Sequence, residues 1–360
     1  MTGSATARRR SMVTLLVVGL LTGACAGSDP KPDARPGTTA GSPTVDTPAD
    51  DAPASDASGT LLRVTATVSP LADLVARVGG ERVEVRSLVP PGADAHTYAP
   101  RPRDAMRLED ADLYVGIGLA LNDGAVRLAR TNLRDDARLV LLGEEWLDLD
   151  ALVFDHPAGE RTDVPRDASG LGPNPHVWTS LRNARALVLG IIQVLSELDA
   201  DDAAGYATRG TALIAELDAL DERIAAAVAT IDLADRVLVT YHDAWIYFAR
   251  DYGLDYAIAV QGGDYSDPSA AGVRSLIDQV RALGVRAVFG SRVFPSAVLE
   301  VIAAESGATY VPGLSDDALP GEPGDPDHSD IELMRQNAVI IVEGLGGDAS
   351  GLSTPIPRVG

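Results

Sequence analysis

The sequence is poor in cysteine, in histidine and in aromatic residues. It contains one Cys and five His among 360 residues, and aromatic residues make up only 4%. A single Cys cannot form an internal disulfide, a cysteine-based zinc cluster or an iron–sulfur cluster. A pocket for haem or a siderophore needs an aromatic or arginine-rich lining, and so few aromatic residues argue against one.

Basic residues are scarce as well. The chain has 30 Lys+Arg against 52 Asp+Glu, which gives a formal net charge of −22. This balance excludes a nucleic-acid partner, because a phosphate backbone needs a dense basic patch. It also excludes attachment to anionic lipid by charge alone. With 46% hydrophobic residues the composition is that of a folded globular protein, long enough for about two domains.

The amino-terminal segment has the pattern of an export signal. Three arginines at positions 8–10 precede an apolar run, residues 12–21, that is too short to span a bilayer permanently. We therefore predict that residues 1–24 are a signal peptide. Residues 25–59 are rich in Pro, Gly, Ser, Thr and Asp, so we expect a disordered tether there.

Cys25 stands where the signal would be cleaved. The pattern resembles a bacterial lipobox, although Thr22 occupies the third position before the Cys instead of the usual Leu. We predict that Cys25 carries a lipid anchor, the alternative being an ordinary signal peptide with an unrelated Cys. The anchor would hold the protein on the outer, extracytoplasmic face of the cytoplasmic membrane of a bacterium.

Short strand patterns alternate with helix patterns beyond residue 60, which predicts an α/β fold with mainly parallel sheets. Two such stretches, residues 60–180 and 235–348, flank a proline-free stretch at 181–234. We predict two α/β lobes joined by this helical region, with a tail at 349–360. Apolar residues recur at three- and four-residue spacing and predict a long linking helix over about 203–231: Leu213, Leu217, Leu220, Ile224 and Val228.

Four of the five histidines stand at strand ends or just before helices. His96 and His242 follow strand patterns, one in each lobe, and His176 and His328 precede predicted helices. Ligand-binding residues of open α/β sheets collect at the carboxyl ends of strands, so a cleft between the lobes would bring His96 and His242 together. Converging imidazoles suit Zn²⁺, with Mn²⁺ or Fe²⁺ favoured as carboxylates replace them. Structural, hydrogen-bonded histidines are the alternative that spacing alone leaves open.

Four segments carry a resemblance to a known family: LVPPGADAHTYAPRPRD, NPHVWTSLRNA, VLVTYHDAWIYFARDYGL and DIELMRQNAVIIVEGL. In this order they resemble the zinc/manganese solute-binding lipoproteins of ABC importers (cluster A-I), and the resemblance covers residues 61–345. It implies two α/β lobes joined by a long rigid helix, with a metal ion held in the cleft between them. It also implies a receptor, not an enzyme, that delivers the ion to a permease in the cytoplasmic membrane.

The resemblance assigns three metal ligands. His96 matches the His of the family's GADPHTYEP motif, and His176 matches that of its DPHxW motif. His242 matches the third ligand position, where zinc-type members have HDAFGYF and many manganese-type members have Glu.

The fourth ligand of the family is an Asp shortly before the last helix. Counting back from Asn337, this position falls on His328, with Asp330 or Asp327 as alternatives. Four imidazoles, or three with one oxygen, favour Zn²⁺ over Mn²⁺ or Fe²⁺.

Several neighbouring residues have weaker predicted roles. We expect His156 to be a surface loop residue. Asp94 and Asp243 are candidate acceptors for the imidazoles, with helix capping as the alternative for Asp243. Three aromatic residues either shield the site or belong to the core: Tyr98, Trp178 and Trp245.

Two other functions are alternatives, a secreted zinc-dependent hydrolase and a metal-dependent adhesin. The sequence has no His-Glu-x-x-His and no Gly-x-Ser-x-Gly motif, which argues against the hydrolase. We expect a monomer with no catalytic cofactor, whose partners are a divalent metal ion, a membrane reached through the lipid anchor, and an ABC permease.

Overall fold

The computed structural model describes residues 61–156, 163–261, 267–293 and 297–358. The predicted signal peptide (1–24), the predicted lipidation site Cys25 and the predicted tether (25–59) lie outside the described residues. Across the described ranges, no helix combines the length and the apolar character needed to cross a bilayer.

The first lobe is built on a four-stranded parallel sheet with the strand order β2-β1-β3-β4. Its central strand β3 is buried along its whole length, as expected for a parallel sheet covered on both faces. The strands are β1 (Leu62–Ala66), β2 (Val83–Ser87), β3 (Leu113–Gly116) and β4 (Arg138–Leu141). A short antiparallel pair follows, formed by β5 (Phe154–His156) and β6 (Gly172–Pro173).

The second lobe repeats this architecture with a parallel sheet of order β10-β9-β7-β8. Strand β9 is likewise buried throughout. The strands are β7 (Val237–Thr240), β8 (Asp255–Ala259), β9 (Ala287–Ser291) and β10 (Thr309–Leu314). The predicted α/β fold with two mainly parallel sheets is therefore confirmed.

Helices follow most of the strands along the chain. In the first lobe they are α1 (Ser69–Gly79), α2 (Pro102–Glu109), α3 (Asp123–Asn132) and α4 (Leu142–Glu145). Two helices connect the lobes: α5 (Leu181–Leu198) and α6 (Ala203–Val228). In the second lobe they are α7 (Ile246–Tyr252), α8 (Ala270–Leu283), α9 (Ala297–Ser306) and α10 (Asp330–Gly344).

Helix α6 is the long helix predicted from the apolar stripe. Its 26 residues correspond to a length of about 39 Å at 1.5 Å per residue. The five stripe residues are all buried, because α6 packs against α1 and α5 on one side and against α10 of the second lobe on the other. One continuous apolar core therefore runs from the first sheet through α6 to the second lobe.

The carboxyl-terminal residues are part of this core. Leu352 and Ile356 are buried in it, and the guanidinium groups of Arg223 and Arg335 donate to carbonyl oxygens of the same segment. The predicted tail thus packs onto α6 and α10 as far as residue 358.

One strand end differs from the sequence prediction. The sequence pattern predicts a strand over 309–311. The strand instead continues to Leu314, with a shift of register between Val311 and Leu314. As a result, the residues at 315–317 lie at the carboxyl end of the second sheet.

Candidate metal centre

Three of the four predicted histidine ligands converge between the lobes. His96 follows β2, His176 follows β6, and His242 follows β7. The Nε2 atom of His176 lies 3.0 Å from the Nε2 of His96 and 3.0 Å from the Nε2 of His242. One ligand atom from each residue falls within a span of 4.8 Å. His176 and His242 are buried, and His96 is half-buried.

An acidic residue lies next to this group. Asp316 lies two residues beyond the end of β10, and its Oδ2 is 3.8 Å from the Nε2 of His242. The side chain is buried, and no donor among the described residues hydrogen-bonds to Oδ2. Burial raises the pKa of Asp316, and the neighbouring His242 opposes this shift. A divalent cation beside Asp316 would favour the charged carboxylate in the same way.

The structure does not bring His328 to the other three histidines. Its Nδ1 lies 3.0 Å from the carbonyl oxygen of Pro320. Asp330, one of the two alternatives, begins α10 and is buried beside Asp73, whose Oδ2 accepts a hydrogen bond from the Asp330 backbone N–H. Asp327, the other alternative, belongs to the same loop and is absent from the histidine group formed by the described residues.

The fourth ligand at His328, Asp330 or Asp327 stays a prediction, while the structure places Asp316 beside His242. Counting back from α10 does not lead to Asp316, because a long loop, residues 315–329, separates β10 from this helix. Counting forward from the true end of β10 leads directly to Asp316.

Two of the remaining predicted residues, Asp94 and Asp243, lie next to the histidine group. Asp94 accepts the backbone N–H of His96. Asp243 does not cap a helix, since α7 begins at Ile246, and its Oδ1 is 3.6 Å from the Nδ1 of His242. His156 ends β5, and its side chain lies outside what the structure describes.

The three predicted aromatic residues divide between core and site. Trp178 and Trp245 are buried in the core. The ring of Trp178 also lies 5.3 Å from that of His176, and its Nε1–H donates to the carbonyl oxygen of Asp316 at 2.9 Å. The Tyr98 hydroxyl donates to Asp104.

Asp317 fastens the Asp316 segment to the first lobe. The Ser69 hydroxyl donates to the Asp317 carbonyl oxygen at 2.6 Å, and the Ala95 N–H donates to its carboxylate at 3.3 Å. Because Ala95 precedes His96, the two lobes meet directly at the candidate centre. Burial, together with the charge of Asp316, raises the pKa of Asp317 well above its usual range.

The sequence prediction missed three residues of the site. Asp316 follows a strand end as His96 and His242 do, but the sequence predicted that strand over 309–311 only, so the rule did not reach this residue. Asn174 and Gln261 lie within 3 Å of imidazole Nδ1 atoms. These contacts depend on the tertiary fold, and no sequence pattern indicated them.

Comparison with known proteins agrees with this geometry. The family model of the zinc-uptake complex component A, periplasmic (ZnuA), matches residues 64–344. The chain belongs to the ZnuA family. This confirms the resemblance predicted from the four sequence segments.

Relatives of this ZnuA-family chain are named for different metals. It is 28% identical to the high-affinity zinc uptake system protein ZnuA of Paracoccus denitrificans, over 79% of this chain and 92% of that protein. It is also 28% identical to the manganese-binding lipoprotein MntA of Halalkalibacterium halodurans, over 79% and 88% of the two chains. The periplasmic zinc-binding protein TroA of Treponema pallidum shares the fold, with a TM-score of 0.69 and 24% identity over 79% and 99%.

Proposed function

We propose that this protein is an extracytoplasmic receptor that captures Zn²⁺ and delivers it to the permease of an ABC importer. The observation that carries the proposal is the convergence of three imidazole Nε2 atoms, beside which a buried carboxylate lies. Family membership supports the transport role, since the relatives include a zinc uptake protein.

The donor set favours zinc among the divalent metals. We propose His96, His176, His242 and Asp316 as the ligands. Three imidazole nitrogens and one carboxylate oxygen suit a tetrahedral Zn²⁺ ion, whereas Mn²⁺ prefers more oxygen ligands. At Zn–N distances of about 2.0–2.1 Å, tetrahedral nitrogens lie roughly 3.3–3.4 Å apart. The observed 3.0 Å separations are within a small adjustment of that value. A receptor for Mn²⁺ or Fe²⁺ is the second candidate, supported by the manganese-binding relative.

The same donor set favours reversible binding over catalysis. Four protein ligands would fill a tetrahedral site, whereas a catalytic zinc ion keeps one position open for water or substrate. The ion is therefore the cargo, and capture and release are the whole function. Because metal-bound imidazoles must be deprotonated, affinity is expected to fall as the solution becomes acidic.

The location follows from the amino-terminal sequence. A signal peptide at 1–24 would export the chain, and a lipid on Cys25 would anchor it outside the cytoplasmic membrane. The tether at 25–59 would let the folded body reach a permease in that membrane. We propose that the folded body acts as a monomer.

Metal competition tests the proposal. Purified protein is loaded with equimolar Zn²⁺ and Mn²⁺, separated from free metal, and analysed for bound metal by mass spectrometry. We expect one Zn²⁺ per chain and almost no Mn²⁺, and loss of the Zn²⁺ in a His96→Ala/His242→Ala double variant. Absence of stoichiometric metal would overturn the receptor function. Retention of Mn²⁺ in preference to Zn²⁺ would leave the receptor function and overturn the choice of metal.

A further inference from the structure

Two side-chain amides lie within hydrogen-bond distance of two of the proposed ligands, on the Nδ1 side of each imidazole ring. The Oδ1 of Asn174 lies 2.8 Å from the Nδ1 of His176, and the Oε1 of Gln261 lies 2.9 Å from the Nδ1 of His242. Both amide side chains are buried. An amide oxygen can only accept a hydrogen bond, so each Nδ1 carries the proton. In the neutral ring, Nε2 is then left with its lone pair.

The orientation of the Asn174 amide is fixed by contacts besides the imidazole. Its Oδ1 also accepts the backbone N–H of His176 at 3.0 Å, and its Nδ2 donates to the carbonyl oxygen of Asp243 at 3.0 Å. Rotating the amide by half a turn would place NH₂ against an N–H and oxygen against a carbonyl oxygen. The two ends of the amide are therefore assigned by their partners.

Asn174 also connects the two ligands. Asp243 directly follows His242, so the amide that orients His176 also holds the segment that carries His242. The surrounding contacts strengthen this link, because the Tyr247 hydroxyl donates to the Asn174 carbonyl oxygen at 2.6 Å and the Thr179 hydroxyl donates to the Ala244 carbonyl oxygen at 2.8 Å.

The acceptor on His242 is an amide even though a carboxylate is near. The Oδ1 of Asp243 is 3.6 Å from the Nδ1 of His242, beyond hydrogen-bond distance, whereas Gln261 is within it. Gln261 is held in turn by its backbone, whose N–H donates to the Tyr241 carbonyl oxygen at 2.8 Å. The ring is thus oriented by a neutral group on a neighbouring strand end.

We propose that Asn174 and Gln261 are positioning residues that hold His176 and His242 as Nδ1–H tautomers, with both Nε2 lone pairs directed at the metal position before the ion arrives. This role rests on the proposed function, because orienting the two rings matters only if a metal ion binds between them. The two Nε2 atoms lie 3.0 Å apart, so their lone pairs repel each other. A cation between the two atoms would remove this repulsion. The amides thereby hold the rings ready to bind the ion.

The test removes each acceptor and compares it with a matched control. Gln261→Met and Asn174→Leu delete the two amides. Gln279→Met, on the exposed face of α8, and Asn132→Leu, at the end of α3, delete amides whose NH₂ groups, among the described residues, donate within their own helices. Gln261→Glu restores an acceptor at the same place.

Two quantities are measured on each purified protein. Nitrogen-15 NMR of labelled histidine rings reports the tautomers in the metal-free protein. Competition with a chromophoric chelator reports the Zn²⁺ affinity. We expect Gln261→Met to lose the uniform Nδ1–H signature of His242 and to bind Zn²⁺ 10–100-fold more weakly, the range typical of a lost partner behind a metal ligand. Asn174→Leu should do the same for His176, while both controls and Gln261→Glu keep the wild-type tautomers.

The outcomes separate this inference from the proposed function. If Gln261→Met keeps both the tautomer and the affinity, the positioning role is wrong although the metal receptor stands. If affinity falls while the tautomer is unchanged, the role is also wrong, because the loss is then merely structural. If wild-type protein binds no Zn²⁺, the proposed function fails, and the NMR signatures of the metal-free protein still decide the tautomers. Should Asn174→Leu fail to fold, the Gln261 pair alone carries the test.

Discussion

Two of the buried carboxyl groups of this molecule are stabilised in different ways. Asp316 follows β10 and lies beside His242, one of the three converging histidines. Asp330 lies at the start of α10 beside Asp73, and Arg77 is close to both. Burial raises the pKa of both Asp316 and Asp330. Three imidazoles converge near Asp316, so a metal ion could balance its charge, whereas burial raises the pKa of Asp330 and favours its uncharged form.

The comparison explains why burial of an acid does not by itself indicate a metal site. Near Asp330, Arg77 forms a 2.5 Å ion pair with the buried Glu216 of α6. The positive charge at this junction of α1, α6 and α10 thus comes from the protein itself. At the candidate metal centre, the imidazole nitrogens and the Asp316 carboxylate would instead be balanced by a bound metal ion.

The largest effect is expected when an imidazole is removed from the metal centre. His176→Ala takes away the nitrogen that lies between the other two. We expect Zn²⁺ affinity to fall by more than about 100-fold, beyond the range typical of a residue behind a ligand. Chelator competition measures this fall. Asp330→Asn serves as the control and should bind Zn²⁺ like the wild type.

Loss of the carboxylate charge should have the next largest effect. Asp316→Asn keeps the shape of the side chain but leaves a neutral oxygen, so Zn²⁺ affinity is expected to fall roughly 10–100-fold, as judged from typical losses at metal sites. His328→Ala should leave the affinity unchanged, because its imidazole contacts Pro320 instead. The reverse result, with His328→Ala the weaker binder, would contradict the proposal that Asp316 is the fourth ligand.

A smaller effect is expected from the hydrogen bond that holds the Asp316 segment. Trp178→Phe keeps an aromatic ring in the core but deletes the donor to the Asp316 carbonyl oxygen. A lost hydrogen bond of ~1 kcal/mol corresponds to about a fivefold loss of Zn²⁺ affinity. Isothermal titration of the variant against Zn²⁺ in a competing buffer measures it. A loss above 100-fold would mean that Trp178 does more than hold this segment.

The smallest effect concerns the stability that depends on Asp330. Burial, reinforced by the charge of Asp73, raises the pKa of Asp330 well above its usual range. A raised pKa contributes stability at low pH that is lost as pH rises through the folded-state pKa, because the buried group must then ionise. Asp330→Asn removes this cost, so we expect it to raise Tm by about 2 °C at pH 8, equivalent to ~1 kcal/mol.

The same substitution should give no gain at pH 4, where Asp330 is protonated in the folded wild type. Scanning calorimetry at both pH values checks the sign. A variant that is less stable than wild type at pH 8 would show that Asp330 is ionised and paired in the folded protein.

Much of the fold could be predicted from the sequence, because local patterns agree with the final packing. The alternation of strands and helices predicted both sheets, and the apolar stripe predicted α6. The strand-end rule likewise found His96 and His242, since carboxyl ends of parallel strands meet at one edge.

The rest of the site depended on features that no local pattern indicates. Pro312-Gly313 is typical of a strand end, yet β10 accommodates it by a shift of register and continues to Leu314. The strand predicted over 309–311 therefore did not indicate Asp316 as a strand-end residue. Asn174 and Gln261 meet their imidazoles only after the lobes have folded together, and their spacing along the chain carries no signal.

The central claim is that the ligands are three histidines and Asp316. Crystals of the Zn²⁺-loaded protein, measured on both sides of the zinc absorption edge, locate the ion directly by anomalous scattering. We predict one strong peak within bonding distance of the Nε2 atoms of His96, His176 and His242 and of the Asp316 carboxylate. A peak at His328 or Asp330 instead would contradict the account.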